Sequence, residues 1–318
     1  MLIDAFLGFD ELLLASFRID YLSKYVDKTL IFESNVTHSG LKKPLYFEDW
    51  YSKLDYNLQN KISVINIDLN QYNESWDREI SSREFAMNFL RENFKFEKFI
   101  LSDIDEIPSL DQVKNMLNTP GLFHFKTPTY YRKINWALRD SHSTWSRGVM
   151  GEVSGAIYPN GARFTKSLPM IPGDPGAHFS YLGFDSQKLE KKLISFAHTE
   201  LGDASKESLS IISISDRFRI DHLGRFYSQG FGLLRVVQPD ENNVVENAKK
   251  YFPHDFFDNV EISENLLLRL YKSAVLTTFY KNLGEFRLDS LPFYEILLTL
   301  IRGIAHGIRR LIIAYFRK

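Results

Sequence analysis

The segment of this chain best suited to chemistry is Asp103-Ile-Asp105-Glu106-Ile-Pro108, which follows directly on the apolar run Lys98-Phe-Ile-Leu-Ser102. Side chains alternate along an extended chain, so Asp103 and Asp105 emerge close together at the end of such a strand. Neighbouring carboxylates repel, and a cation offsets the repulsion. A hard divalent ion suits them: Mg²⁺ or Mn²⁺ prefers oxygen ligands, takes one or two carboxylates from a protein, and completes its shell with water and phosphate oxygens. A nucleoside diphosphate supplies such oxygens, and the ion would neutralise charge building up on a departing diphosphate. His178 opens a β-prone run after Pro172-Gly-Asp-Pro-Gly176 and is a candidate to complete the metal shell from the opposite wall. His198, in Ala197-His-Thr-Glu200, is a second choice.

Several elements must position these groups. Residues 2–9 form an apolar run ending near Gly8, followed by helical spacing through Leu12, Leu13, Ala15, Phe17, Ile19 and Leu22. Thr29–Phe32 and Ile62–Ile67 read as strands that stop in polar loops, and Ser81–Asn93 reads as a helix leading into the Lys98 strand. Pro108 suits the start of a helix over Leu110–Leu117. Strand and helix thus alternate over the first hundred residues, which predicts an α/β fold with a mostly parallel central sheet flanked by helices. Ligands of such sheets sit outside the carboxyl ends of the strands, where the loops after Gly8, Phe32, Ile67 and Ser102 converge. Beyond residue 120 come short aromatic strands, including Phe123–Pro128, Val149–Pro159 and His178–Gly183, and then a helix over 185–198. That half reads as the acceptor side, with Tyr130, Tyr131, Trp136 and Trp145 available to stack on sugars.

The 39 Lys and Arg against 40 Asp and Glu leave no global electrostatic footprint for nucleic acid. The absence of cysteine excludes disulfides, thiolate zinc sites and cysteine nucleophiles. The opening residues carry Asp4, Asp10 and Glu11 without a basic leader, so a cytoplasmic location is the expectation.

Four motifs occur in matching order: Ile3-Asp-Ala-Phe6, Glu33-Ser-Asn-Val-Thr-His-Ser-Gly40 with Lys43-Pro-Leu-Tyr-Phe47, Ser102-Asp-Ile-Asp-Glu-Ile-Pro108, and His178-Phe-Ser-Tyr181. Across about residues 3–200 the chain resembles glycosyltransferase family 17, the family of the transferase that adds the bisecting N-acetylglucosamine. The resemblance implies the GT-A type of nucleotide-diphospho-sugar transferase fold, a UDP-sugar donor (UDP-N-acetylglucosamine first), a divalent metal and inversion at the anomeric carbon. It assigns Asp103 and Asp105 to the metal and diphosphate, Arg83 to a phosphate, and Phe6, Glu33 and the loop Ser34–Ser39 to nucleotide or sugar contacts. Inversion requires one general base, for which Asp185, Glu200 and Glu152 are alternatives; Asp185 also suits a helix N-cap.

The expected organisation is a catalytic domain over 1–235 and a helical C-terminal extension over 236–318. The extension ends in an amphipathic helix with Leu297, Ile301, Ile304, Ile308, Leu311 and Tyr315 on one face and Arg302, His306, Arg309 and Arg310 on the other. It is too polar to span a bilayer and suits either packing on the domain or peripheral contact with a membrane. A glycan or lipid-linked glycan acceptor, in surface polysaccharide or lipid-linked glycan synthesis, agrees with the second reading. Two rivals stand: a metal-dependent phosphohydrolase, whose acidic motif normally lies near the chain start, and a non-catalytic sugar-binding module, which has no need of paired carboxylates.

Overall fold

The computed structural model describes residues 1–138, 144–145, 147–155, 168–195, 197, 199–223, 233–236, 238, 242–258, 265–283 and 287–316. The side chains of Trp145 and Glu200 lie outside the described residues, as does His198, and so do the side chains of the last helix from Arg310 onward.

A six-stranded sheet carries the first half of the chain in the order β3-β2-β1-β4-β10-β6. Its strands are β1 (Leu2–Leu7), β2 (Lys28–Glu33), β3 (Ile62–Asn66), β4 (Lys98–Asp103), β6 (Leu122–His124) and β10 (Val149–Glu152). The first four pair in parallel, and β10 runs antiparallel to both β4 and β6. The inner parallel strands β1, β2 and β4 carry apolar residues on both faces. Ile3 and Ala5 of β1 join Leu30, Phe32, Phe99 and Leu101 under helix α4 (Ser75–Asn93), whereas Leu2 and Phe6 point the other way, toward α1 (Leu12–Leu22) and α2 (Tyr46–Ser52). Burial on both faces explains why these three strands read as mainly apolar runs, whereas the edge strand β3 alternates apolar and polar residues.

Register fixes the functional edge. Leu7 stands opposite both Phe32 and Asp103, so the loops after β1, β2 and β4 leave the sheet together. Immediately beyond, β5 (Glu106–Ile107) starts a second sheet, β12-β8-β7-β11-β5, made with β7 (Thr127–Tyr131), β8 (Trp136–Leu138), β11 (Ala177–Ser180) and β12 (Leu234–Val236), while β9 (Thr144–Trp145) pairs with β7. The acidic motif is therefore the hinge between the two sheets, and His178 of β11 is in register with Glu106. Gly176 lets β11 come this close, because a Cβ there would collide with the Ile107 carbonyl oxygen.

The remaining helices are α3 (Tyr56–Lys61), α5 (Leu110–Leu117), α6 (Ser186–Ser195), α7 (Ser208–Phe218), α8 (Asn243–Tyr251), α9 (Leu266–Lys281) and α10 (Phe293–Phe316). Segments on either side of residue 235 share cores: Val244, Val245 and Ala248 of α8 pack with Phe17 of α1, and Leu270, Leu276 and Phe279 of α9 with Trp136 and Leu138 of β8. Among the described residues no helix is long and apolar enough to cross a membrane.

Candidate active site

Arg18 organises the acidic motif from beneath. The fully buried guanidinium donates from Nε and Nη2 to both carboxylate oxygens of Asp4, at 2.8 and 2.6 Å. The same group donates from Nη1 to the carbonyl oxygens of Asp103 (2.8 Å), Ile104 (3.3 Å) and Glu106 (3.1 Å), and from Nη2 to Ser102 Oγ (3.0 Å). One cation thus ties β1 to three consecutive bends of the loop, which turns its carboxylates outward. Asp103 N donates to Glu106 Oε2 at 3.2 Å, so the buried Glu106 closes the loop from inside.

The exposed side of the loop faces a cavity of about 770 Å³, within the usual range for small-molecule sites. Asp103, Arg83, Asp105 and His178 share its wall. Arg83 Nη2 donates to Asp103 at 3.0 Å while Nη1 donates to Glu79 Oε1 at 2.9 Å. His178 Nε2 lies 3.4 Å from Asp105 Oδ2, and Nδ1 lies 3.5 Å from Thr129 Oγ1. Burial alone would lower the His178 pKa, but Asp105, Glu106 and Asp103 outweigh it and hold the imidazole above its ordinary value. At the end of this strand Tyr181 takes a positive φ of 56°, a conformation that costs about 1 kcal/mol or more for a residue with a Cβ.

His38 of the expected Ser34–Ser39 loop and Lys192, which sequence reasoning missed, also line this wall, and Lys191, likewise missed, lies beside it. His38, in the Glu33–Gly40 loop, is pushed down to about 4 by burial, with Arg83 and Lys192 adding to the effect and Glu79 and Asp103 opposing it. Lys192 of α6 reaches Glu11 Oε1 at 2.7 Å; burial works against its charge, but Glu11, Asp105 and Asp10 raise its pKa above the ordinary value. Lys191 pairs with Asp10 and donates to the Tyr46 hydroxyl at 3.1 Å. The signal for Arg18 was present but unread: an aspartate inside an apolar strand and an arginine on the apolar stripe of the next helix.

Four residues named from sequence are not among those that line the cavity. Phe6 is wholly buried beneath the Arg18 guanidinium, 4.9 Å from its ring centroid, and edge-on to Phe47, so it offers no surface to a ligand. Glu33 is also buried, with both oxygens engaged: Oε1 accepts from Lys43 Nζ (2.8 Å) and Tyr46 N (2.7 Å), and Oε2 from Phe47 N (2.9 Å). It is the N-terminal cap of α2. Glu152 pairs with Lys98, at the end of β4 opposite Asp103, some 16 Å away at about 3.3 Å per residue. Asp185 is exposed and accepts from Lys188 N at 2.8 Å, capping α6 away from the cavity wall. The acceptor-side rings Tyr130 and Trp136 are core residues, whereas Tyr131, also buried, borders the cavity.

Among the described residues no three His, Asp or Glu side chains converge into a ready-made cage. Asp105 with His178 offers two ligands, and Asp103 is engaged by Arg83. That is a poor zinc site but fits Mg²⁺ or Mn²⁺, which take few protein ligands and rely on substrate phosphates. No curated protein matches the chain. Residues 1–215, more than half of the chain and the span that holds Arg83, Asp103, Asp105, His178 and Lys192, match the family model described as glycosyltransferase family 17. The chain belongs to glycosyltransferase family 17.

Proposed function

We propose that this glycosyltransferase is a metal-dependent, inverting enzyme of the GT-A type that moves a sugar, N-acetylglucosamine first among candidates, from a UDP-sugar to a glycan or lipid-linked glycan hydroxyl. The observation that carries the reading is the carboxylate edge itself: Asp103 and Asp105 leave a parallel strand into a cavity whose other walls bring Arg83, His178 and Lys192 to them. Asp105 and His178, with Asp103, would hold the ion, which when bound neutralises negative charge on the leaving diphosphate. Arg83 and Lys192 would supply positive charge to the same phosphates. The acceptor oxygen attacks the anomeric carbon as the bond to the diphosphate breaks; UDP leaves with the electron pair, and the hydroxyl proton passes to a carboxylate base. The side chain of Glu200, one of the three carboxylates named from sequence for that role, lies outside the described residues. A cytoplasmic setting and a role in surface polysaccharide or lipid-linked glycan synthesis complete the proposal.

Calorimetric titration of UDP and a panel of UDP-sugars with Mn²⁺ or with EDTA, on wild type and Asp105→Asn, tests it. Affinity that requires both the ion and Asp105 is the expected result. Tight binding indifferent to metal removes the metal role, and no binding of any nucleotide removes the donor.

A further inference from the structure

The last helix turns its apolar face away from the protein. Ile296, Thr299 and Gly303 of α10 are buried, and Thr278 Oγ1 donates to Thr299 Oγ1 at 3.1 Å, which fixes the inner face against α9. At about 100° per residue the opposite arc contains Tyr294, Leu297, Leu298, Ile301, Ile304 and Ile308. All six are exposed, Ile301 by 53 % and Ile308 by 52 %. The sequence left this helix to either packing on the domain or membrane contact; in the structure packing uses the narrower strip of Ile296, Thr299 and Gly303, leaving the broad apolar arc outside. Asn282 Nδ2 donates to Glu295 Oε2 at 2.8 Å, and with the threonine pair this makes α9 and α10 antiparallel. That arrangement sets the start of α9, with its exposed Leu266, Leu267 and Leu268, level with the far half of α10.

Charge selects the occupant. The exposed Arg302 and Arg309 fall seven residues apart along one edge of the apolar arc. From residue 296 onward the chain holds Arg302, Arg309, Arg310, Arg317 and Lys318 and no Asp or Glu, against a net charge of −1 for the whole protein. A second copy on this face would bring the two sets of arginines together, and like charges at an interface oppose binding. An anionic lipid surface accepts both features at once, with apolar side chains entering the acyl boundary and the arginines meeting headgroup phosphates at its rim. We infer that α10 is a peripheral membrane anchor that lays the Leu297–Ile301–Ile308 face on an anionic bilayer surface.

Full-length protein would be floated with vesicles of phosphatidylcholine alone and of phosphatidylcholine with phosphatidylglycerol. Flotation with the anionic vesicles is expected, weakening as salt is raised. Arg302→Gln with Arg309→Gln should weaken it about thirty-fold, from roughly 1 kcal/mol per basic side chain near the surface. Ile301→Glu with Ile308→Glu should abolish it, and both pairs are solvent-exposed, so the circular dichroism melt should match wild type. Failure to float with anionic vesicles overturns the inference. So does a dimer in light scattering that Ile301→Glu with Ile308→Glu converts to monomer, because the face would then belong to a second copy. UDP-sugar titration on the same samples keeps the result separate from the donor-site proposal.

Discussion

Replacement of Arg18 by methionine should cost more stability than removing Arg18 and Asp4 together. Methionine keeps much of the arginine stem volume but leaves the fully buried Asp4 carboxylate without a counter-charge. Removing one partner of a buried pair costs about 3–5 kcal/mol. The carbonyls of Asp103, Ile104 and Glu106 also lose their charged donor. At about 1 kcal/mol each for buried acceptors left unmade, that adds roughly 3 kcal/mol. The sum, about 6–8 kcal/mol, is comparable with the whole stability of an ordinary domain, about 5–15 kcal/mol. Asp4→Leu with Arg18→Met removes both charges and keeps only the carbonyl deficit, so the double variant should be about 3–5 kcal/mol more stable than Arg18→Met alone. Urea unfolding of wild type, both single variants and the double gives the coupling. Titration of UDP with Mn²⁺ into the folded double variant then reads the loop: without its anchor, affinity should fall about tenfold, a difference of 1.4 kcal/mol. If the double variant is no more stable than Arg18→Met, the charge pair is not what the single substitution breaks. If it binds UDP like wild type, Arg18 does not position the acidic loop.

Three further outcomes follow from the geometry. The pKa of His38 is near 4 when folded against about 6.5 unfolded, so its contribution to stability is complete above pH 6.5 and is lost as pH falls through 4; the loss, at most about 3 kcal/mol, should be absent in His38→Gln when the two are unfolded in urea at pH 7 and 4.5. Glu33→Gln should lower stability by about 2 kcal/mol in the same assay, because the amide is a weaker acceptor for two backbone N–H groups and gives Lys43 no counter-charge. Asp185→Ala should cost about 1 kcal/mol through the lost cap, and with Glu152→Gln it should leave the sugar-transfer rate, measured by UDP release, at the wild-type value.

Much of the frame was legible because its signals are local. The run Lys98–Asp103 is apolar, short and bounded by charge, and helix α5 keeps the expected limits Leu110–Leu117, since Ser109 and Gln112 close a capping box directly after Pro108. What escaped depends on distant partners. Helix α2 begins where a glutamate thirteen residues upstream accepts its first N–H groups, a signal no local window contains. Helix α4 was expected from Ser81 but starts at Ser75; its extra turns leave Trp76 and Ile80 exposed and show no apolar stripe. The strand expected over Val149–Pro159 ends at Glu152 in a short 3₁₀ turn, Val153–Gly155, and residues 156–159 lie outside those described. At the site, the acids were visible because they are adjacent in sequence. Arg83 and His178 were also named, but Arg18 and Lys192 were not, because Arg18 is 85 residues from Asp103, and Lys192 is 181 from Glu11.

That separation has a physical consequence for binding. Every acid described on the cavity wall already faces a base from another segment or turn: Asp103 and Glu79 meet Arg83, Asp105 meets His178, Glu11 meets Lys192, and Asp10 meets Lys191. The wall is thus close to neutral, and a diphosphate entering it competes with carboxylates for the same cations. Phosphate that captures Arg83 or Lys192 frees carboxylate charge beside itself, and a buried excess of negative charge is costly. A divalent cation arriving with the nucleotide removes that excess, whereas either alone meets a wall whose pairs must first be broken. Metal and UDP should therefore bind with positive coupling, about 1–3 kcal/mol, and the factor by which Mn²⁺ tightens UDP must equal the factor by which UDP tightens Mn²⁺. Titrations run in both orders measure the two factors directly. Independent binding in both orders would mean that the ion pairs survive occupation, and that the cations across the cavity serve the fold and not the phosphates.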